Sequence, residues 1–241
     1  MTQQDCHTHP FQAKRSIEGM RDYAETALRK GLKRIVFTEH APLRPGLYSS
    51  GHFLTEREFE LYFDCFRQVC GEYAGRLEII FGAEMDFHPD NLPMVRRLVE
   101  RYPVAYRLGS LHMHLPFWRA RWEGKSREYA LGLALAETEK LIRSGLFDTL
   151  AHFDFFRFRM EWYEPSMIFD KVRPVFEALA ETGVALEINT SGLRKPFAST
   201  LPGRELLELT RPYGLNYRLG SDAHAAEFIA DAFDEPYFRT L

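Results

Sequence analysis

Short apolar runs alternate along the chain with longer segments in which apolar residues recur at helical spacing. Residues 16–30 have the helical pattern, and residues 34–40 follow as a short apolar run that ends in a polar residue. The alternation continues until seven strands are counted, without a linker or a break in composition. This order predicts a parallel sheet with right-handed crossovers in one α/β domain that covers residues 1–241.

Polar residues follow nearly every predicted strand. A doubly wound open sheet is an alternative arrangement, but no glycine-rich phosphate fingerprint follows the first strand. A closed barrel would collect the C-terminal ends of all its strands at one mouth. We therefore predict a barrel, with the functional site at that mouth.

Local signals sharpen the prediction for several helices. Residues 55–58 (Thr-Glu-Arg-Glu) form a capping box in front of an aromatic helical stripe. Residues 165–182 have a helical pattern in which Pro174 marks a kink or a break between two shorter helices. A last helix is expected to begin near Ala225.

Composition limits the classes of function. Hydrophobic residues make up 45% of the 241 residues and charged residues 27%, as in globular proteins. The net charge of −3 gives no general reason to expect nucleic acid or an anionic membrane as a partner. Three cysteines without zinc-type spacing favour reduced thiols, and no targeting or membrane-spanning stretch is evident. We expect a soluble, cytoplasmic protein; its oligomeric state is not predicted.

Histidines and carboxylates are concentrated at the predicted strand ends. Each residue alone could be a hydrogen-bonded core residue, but as a set they have mainly each other as partners. Such ligands hold Zn, Mn or Fe, and their number implies more than one ion. Asp5 shares a strand face with the first two histidines and is expected to orient a ligand imidazole. The predicted metal ligands are His7, His9, His40, Glu84, His112, His152, Asp222 and His224.

The predicted mouth also carries groups suited to phosphate chemistry. A multinuclear centre supplies hydroxide near neutral pH and holds a phosphoryl group in line. Arg157 and Arg194 follow strand ends, where their forked guanidinium groups are suited to bind phosphoryl oxygens; either could instead be a surface ion-pair residue. Asp154 is a candidate to protonate the leaving oxygen, or only to orient a ligand.

Two predicted loops are candidate walls of the site. Residues 115–122 follow His114, include Phe117, and could bind a small, partly aromatic ligand or contact another subunit. We expect His114 and Phe117 to contact substrate. Residues 41–54 are rich in Pro, Gly and Ser and could form a lid, and His52 within them is interpreted as a solvated loop residue.

Taken together, the motifs resemble the PHP (polymerase and histidinol phosphatase) metallo-phosphoesterases. The resemblance spans nearly the whole chain in the family's order, and residues 38–43 and 189–195 point to the histidinol-phosphatase branch. The motifs are His-Thr-His at 7–9, Phe-Thr-Glu-His-Ala-Pro-Leu at 37–43, Gly-Ala-Glu at 82–84, Ser-Leu-His at 110–112, His-Phe-Asp-Phe-Phe-Arg at 152–157 and Gly-Ser-Asp-Ala-His at 220–224.

The resemblance implies a distorted seven-stranded (β/α)7, TIM-like barrel with a trinuclear metal centre. It assigns one ion to His7, His9, Glu84 and Asp222, a second to Glu84, His112 and His152, and a third to His40 and His224. The family usually has one more third-ion histidine a few residues after the first pair. Here residues 10–15 read Pro-Phe-Gln-Ala-Lys-Arg, without a histidine.

We therefore expect two tightly held divalent ions and a third that is weak, substrate-dependent or absent. Lys14 and Arg15 lie near that position in the sequence, and a cation reaching into the third site would weaken metal binding further. The substrate implied is a small phosphate monoester.

The implied activity is that of a histidinol-phosphatase, which hydrolyses L-histidinol phosphate in histidine biosynthesis. The alternatives are a PHP phosphoesterase for another small phosphate monoester or nucleotide, and a non-catalytic metal-bound subunit. The acidic net charge weighs against a polymeric substrate. A metal-dependent amidohydrolase barrel also begins with His-x-His, but no lysine lies at these strand ends to carry a bridging carbamate.

Overall fold

Seven parallel strands form one sheet in which each strand pairs with the next strand along the chain. The computed structural model describes residues 4–12, 14–47, 51–158, 160 and 162–240. The strands are β1 (Gln4–Thr8), β2 (Arg34–Phe37), β3 (Glu78–Asp86), β4 (Tyr106–Ser110), β5 (Thr149–Leu150), β6 (Ala185–Asn189) and β7 (Tyr217–Gly220).

Helices connect the strands and cover the outside of the sheet. The long helices bury one apolar face; α1, for example, buries Met20, Tyr23 and Ala27. The α-helices are α1 (Ile17–Arg29), α2 (Glu56–Glu72), α3 (Leu92–Arg101), α4 (Pro116–Trp122), α5 (Arg127–Arg143), α6 (Arg173–Thr182) and α7 (Arg204–Thr210).

The first strand meets the segment that follows the last strand. The backbone nitrogen of Asp222 donates to the carbonyl oxygen of His7 at 2.8 Å, and the nitrogen of His9 donates to that of Ala223 at 2.9 Å. Thr8 and Ala223 form a parallel bridge. The sheet is thus a nearly closed barrel with helices between its strands, and the prediction of a (β/α)7 TIM-like barrel is confirmed.

Three local predictions for helices have different outcomes. The capping box is present, since the Thr55 side chain accepts from the backbone of Glu58 and the Glu58 carboxylate accepts from the backbone of Thr55. The predicted break between two helical segments is present, but it lies before Pro174 rather than at it. A short 3-10 turn at Pro165–Ile168 precedes α6, and Pro174 lies in the first turn of α6, where no backbone N–H is needed.

Two predictions were wrong. Residues 115–122 do not form a loop, because Leu115 is extended and Pro116 begins the helix α4. The helix expected near Ala225 is only a 3-10 turn at Ala226–Phe228. Of the predicted lid at 41–54, residues 48–50 lie outside the described residues.

The three cysteines do not form disulfide bonds. Cys6, Cys65 and Cys70 are free thiols. Within the described residues, no helix combines the length and the apolar character needed to cross a membrane.

Candidate metal centre

The eight predicted ligands converge at the C-terminal mouth of the barrel. They lie near the ends of β1, β3 and the other strands, or within four residues after them, so the parallel sheet brings them to one place. Seven of the eight are buried and His224 is exposed.

Three groups of side chains place their ligand atoms within 4.8 Å of one another. The first contains three of the four residues predicted for the first ion, and the second contains the three residues predicted for the second ion. The third group contains His40 and His224, as predicted, and adds His9, so the structure brings His9 near both the first and the third predicted ions. The groups are His7, His9 and Asp222; Glu84, His112 and His152; and His9, His40 and His224.

Glu84 lies between two sets of histidines. Its Oε1 is 2.9 Å from His152 Nε2 and 3.5 Å from His112 Nε2. Its Oε2 is 2.9 Å from His40 Nδ1 and 3.3 Å from His7 Nε2. This is the arrangement of a carboxylate able to contact two ions at once.

Carboxylates behind the histidines fix the orientation of the rings. His7 Nδ1 lies 2.7 Å from Glu187 Oε1, and His112 Nδ1 lies 2.5 Å from Asp86 Oδ2. Each Nδ1–H donates to its carboxylate, which leaves Nε2 directed at the cluster as a metal ligand requires. Gly220 makes room for the first pair, since a Cβ at this position would lie 1.9 Å from Glu187 Oε1.

Asp5 does not orient a ligand ring, so this prediction was wrong. Its carboxylate accepts from the backbone nitrogens of His7 at 3.2 Å, Ser221 at 3.0 Å and Ala230 at 2.8 Å. Asp5 therefore joins β1 to the segment after β7. Sequence reasoning assigned no role to Glu187, and the signal available was a lone carboxylate within the apolar run of β6.

Two of the ligands have left-handed backbone conformations. The φ angle is 23° at His152 and 50° at Asp222. Such angles cost roughly 1–3 kcal/mol in residues other than glycine. The nitrogen of His152 donates to Glu187 Oε2 at 2.7 Å, so one carboxylate holds both this strained backbone and the His7 ring.

Opposing effects set the pKa values of the ligands. Burial alone would raise the pKa of Glu84, but the nearby His40 and His7 hold it well below its usual range. Burial would lower the pKa of His112, but Asp86 outweighs this and raises it to about 9. Burial lowers the pKa of His40 to about 4. The cluster thus combines an anionic Glu84 with an imidazole that binds a proton tightly, His112, and one that stays neutral, His40. A divalent cation can replace the proton of the first and bind the second directly.

A cleft of about 970 Å³ opens above the ligands. His114 and Arg194, which were predicted to bind substrate, lie in its wall together with Lys195 and Arg119. The Arg194 guanidinium is held in place, because Nη1 lies 2.9 Å from Asp231 Oδ2 and Nη2 donates to the Ser221 carbonyl oxygen at 2.8 Å.

The other predicted substrate and catalytic residues are not among the described residues that line this cleft. Asp154 is fully buried, which raises its pKa to about 7, and Arg157 Nη1 lies 3.7 Å from its Oδ2. Phe117 packs with its ring centroid 5.0 Å from that of His88. The roles of these three residues stay predictions.

The surroundings of the first histidine pair differ from expectation. His52 is not only a solvated loop residue: it lines the cleft, and Gln12 Nε2 donates to its Nδ1 at 3.0 Å. Lys14 pairs with Asp22 at 2.5 Å and Arg15 with Glu58 at 2.7 Å. Neither cation lines the described part of the cleft, so the structure does not bring Lys14 or Arg15 into the third site.

The geometry agrees with comparisons to known proteins. The PHP domain family matches residues 5–191. A protein of Deinococcus radiodurans that is named a probable histidinol-phosphatase is 30% identical over 227 residues, which are 91% of this chain and 85% of the relative. The histidinol-phosphatase of Bacillus subtilis is 27% identical, with 97% of this chain and 98% of the relative covered.

Solved structures show the same fold. The histidinol phosphate phosphatase of Lactococcus lactis, complexed with zinc, L-histidinol and phosphate, has a TM-score of 0.74 at 22% identity, covering 92% of this chain and 86% of that chain. A structure from Listeria monocytogenes has a TM-score of 0.81 at 19% identity, covering 95% and 98% of the two chains. The extent of the family match shows that this chain belongs to the PHP domain family.

Proposed function

We propose that the chain is a metal-dependent phosphoric monoester hydrolase that converts L-histidinol phosphate into L-histidinol and phosphate in histidine biosynthesis. The observation that carries the reaction type is the position of Glu84, whose two oxygens face separate sets of histidines at the floor of a cleft. The names of the curated relatives support the choice of substrate.

The donor set fits divalent metal ions. Imidazoles held by carboxylates at Nδ1, together with a carboxylate placed between two groups, suit Zn, Mn or Fe. Divalent ions in such a centre polarise a phosphoryl group and supply a nucleophile at neutral pH. We propose two tightly bound ions and a weaker third ion. The first would be held by His7, His9, Glu84 and Asp222, the second by Glu84, His112 and His152, and the third by His40 and His224.

The cleft wall supplies positive charge for the substrate phosphate. Arg194 is fixed by Asp231 and Ser221, and Lys195 lies beside it in the wall. We propose that Arg194 binds phosphoryl oxygens through its fork of donors. Arg157 would add a second fork if substrate binding moves its guanidinium from Asp154, and Asp154 would then be available to protonate the leaving oxygen. His114 would contact the rest of the substrate.

The test is a comparison of substrates on purified protein supplied with Mn, Zn or Fe in separate preparations. We expect kcat/KM for histidinol phosphate to exceed that for sugar phosphates and nucleoside monophosphates. Equal or faster turnover of an unrelated monoester would favour a PHP phosphoesterase with a different substrate. Bound metal without turnover of any member of the panel would favour a non-catalytic subunit.

A further inference from the structure

Among the described residues, four phenylalanine and tryptophan rings line the cleft, and three of them already contact another side chain of the site. The Phe155 ring centroid lies 4.6 Å from that of His152, and the Phe53 centroid lies 5.4 Å from that of His40. Phe228 lies under the Arg194 guanidinium, 4.5 Å from its central carbon. The fourth ring is Trp122.

Trp122 is held in the wall by its edge. Its indole Nε1–H donates to the carbonyl oxygen of Met113 at 2.8 Å, which ties the ring to the segment before α4. Among the described residues, no aromatic ring or cationic group stacks on Trp122. The residue is partly buried against the core and partly open to the cleft. Part of the Trp122 indole is therefore accessible from the cleft.

The other aromatic residues of α4 are directed elsewhere. Trp118 is fully buried, with its ring centroid 4.7 Å from that of His88 and the Arg121 guanidinium carbon 5.0 Å from its ring centre. Phe117 also packs on His88. Of the three aromatic rings of α4, only Trp122 lines the described cleft.

Few acidic side chains of the cleft are available to bind the cationic and aromatic part of the substrate. The carboxylates among the described lining residues are Glu84 and Asp222, and both belong to the candidate metal groups. The other charged lining residues are the cations Arg119, Arg194 and Lys195, of which Arg119 pairs with Glu123 and Arg194 with Asp231. Aromatic faces attract both planar heteroaromatic rings and cations, without a carboxylate.

We infer that the Trp122 indole face receives the imidazole ring of the substrate and so selects a phosphate monoester with a planar heteroaromatic group. This assignment rests on the proposed histidinol-phosphatase function. In this arrangement the metal centre holds the phosphate and Trp122 holds the imidazole ring, so both ends of the substrate are fixed. Because Trp122 lies on α4, this helix then determines the preference for histidinol phosphate.

The experiment measures kcat/KM for histidinol phosphate and for O-phosphoethanolamine, which has the phosphate and the ammonium group but no ring. Trp122→Leu keeps an apolar side chain and removes the aromatic face. We expect it to lower kcat/KM for histidinol phosphate about two- to tenfold and to lower kcat/KM for O-phosphoethanolamine clearly less, because this substrate has no ring to stack. Trp122→Phe keeps an aromatic face and should retain most of the preference for histidinol phosphate.

Trp162→Leu is the matched control. This tryptophan is outside the described cleft lining and stacks with Arg127, whose guanidinium carbon is 5.3 Å from the ring centre. It should not change the ratio of kcat/KM for the two substrates. An equal loss of kcat/KM for both substrates in Trp122→Leu, or no loss for either, would overturn the assignment to Trp122. Turnover of histidinol phosphate by the unmodified protein would still support the proposed function in that case. Failure of the unmodified protein to hydrolyse histidinol phosphate, with activity on another monoester, would reject both.

Discussion

At the scale of single residues, Glu84 joins the parts of the centre. Its replacement by alanine would remove the carboxylate shared by His40 and His7 on one side and His152 on the other. Because metal polarisation of a phosphoryl group is worth several kcal/mol, we expect Glu84→Ala to lower the rate of phosphate release roughly a thousandfold or more. Exhaustive chelation should do the same. The measurement is phosphate release together with bound metal per chain.

Glu78→Ala is the control for this prediction. Glu78 begins the same strand, is exposed, and pairs with Arg34 at 2.8 Å. It should leave activity and metal content unchanged. Full activity in Glu84→Ala or in chelated protein would contradict the metal-dependent mechanism.

Arg194 and Arg157 were predicted to bind the phosphoryl group, and only Arg194 lies in the described cleft wall. A hydrogen bond to a charged group is worth about 1.5–3 kcal/mol, or roughly ten- to a hundredfold. Arg194→Ala should weaken inhibition by free phosphate by that factor and leave bound metal unchanged. Arg157→Ala should give a comparable loss if Arg157 reaches the phosphate. Unchanged phosphate inhibition in both variants would reject the clamp.

The sequence predicted residues whose role follows from a strand end and a familiar motif. It did not predict the partners that cross the barrel. Glu187 binds His7 over a separation of 180 positions, and that pairing depends on the register of β6 and β7 against β1. The sequence did not show which of Trp122 and Phe117 faces the cleft. The relative directions of the two side chains can be derived only when the segment is known to be a helix.

At the scale of elements, the periodic segments were predicted well and the short irregular ones were not. The strands and long helices have repeated apolar positions that bury one face. Residues 115–122 contain Pro116 and bulky aromatic residues, which read as a loop, yet proline is well tolerated in the first turn of a helix. The segment after Ala225 is too short for helical periodicity to decide its structure.

The capping box of α2 gives a stability prediction. Thr55→Ala removes the acceptor of the Glu58 backbone nitrogen, which lies 3.2 Å from the threonine oxygen. We expect a loss of about 1 kcal/mol in the free energy of unfolding, within the range of 0.5–2 kcal/mol. Denaturant unfolding measures it.

Ser16→Ala is the comparison for this variant. Ser16 occupies the N-cap position of α1 but its side chain makes no capping hydrogen bond. Its replacement should cost less than that of Thr55. Equal losses in the two variants would show that the capping bond is not the cause.

At the scale of the whole molecule, the number of bound ions tests whether His9 can serve two of the three ligand groups at once. His9 Nε2 lies 3.3 Å from Asp222 Oδ1, and His9 Nδ1 lies 3.7 Å from Glu39 Oε2. An imidazole that binds the first ion through Nε2, with Nδ1 facing a carboxylate, has no nitrogen left for a third ion. The third ion then has His40 and the exposed His224, and must complete its shell with water or substrate oxygens.

We therefore expect two ions per chain after dialysis and a third that binds only when excess metal or phosphate is present. Metal analysis of dialysed and titrated protein measures this. His40→Ala should reduce binding of the third ion, although loss of its contact with Glu84 will weaken the other sites to a smaller degree. Three ions retained after dialysis would contradict the argument and leave the phosphatase proposal unaffected.

The junction between β1 and the segment after β7 also has a consequence for protein synthesis. His7 and His9 leave the ribosome first, whereas Asp222, which completes their group, follows only after β7 has been made. Until then the nascent chain carries unpaired imidazoles and carboxylates and cannot hold the first ion with its full set of ligands. Because binding of metal to such a site is coupled to its folding, stable loading of the centre has to follow translation of residue 222. Translation past this point, rather than exposure of His7 and His9, sets the earliest time at which the first ion can have its full set of ligands.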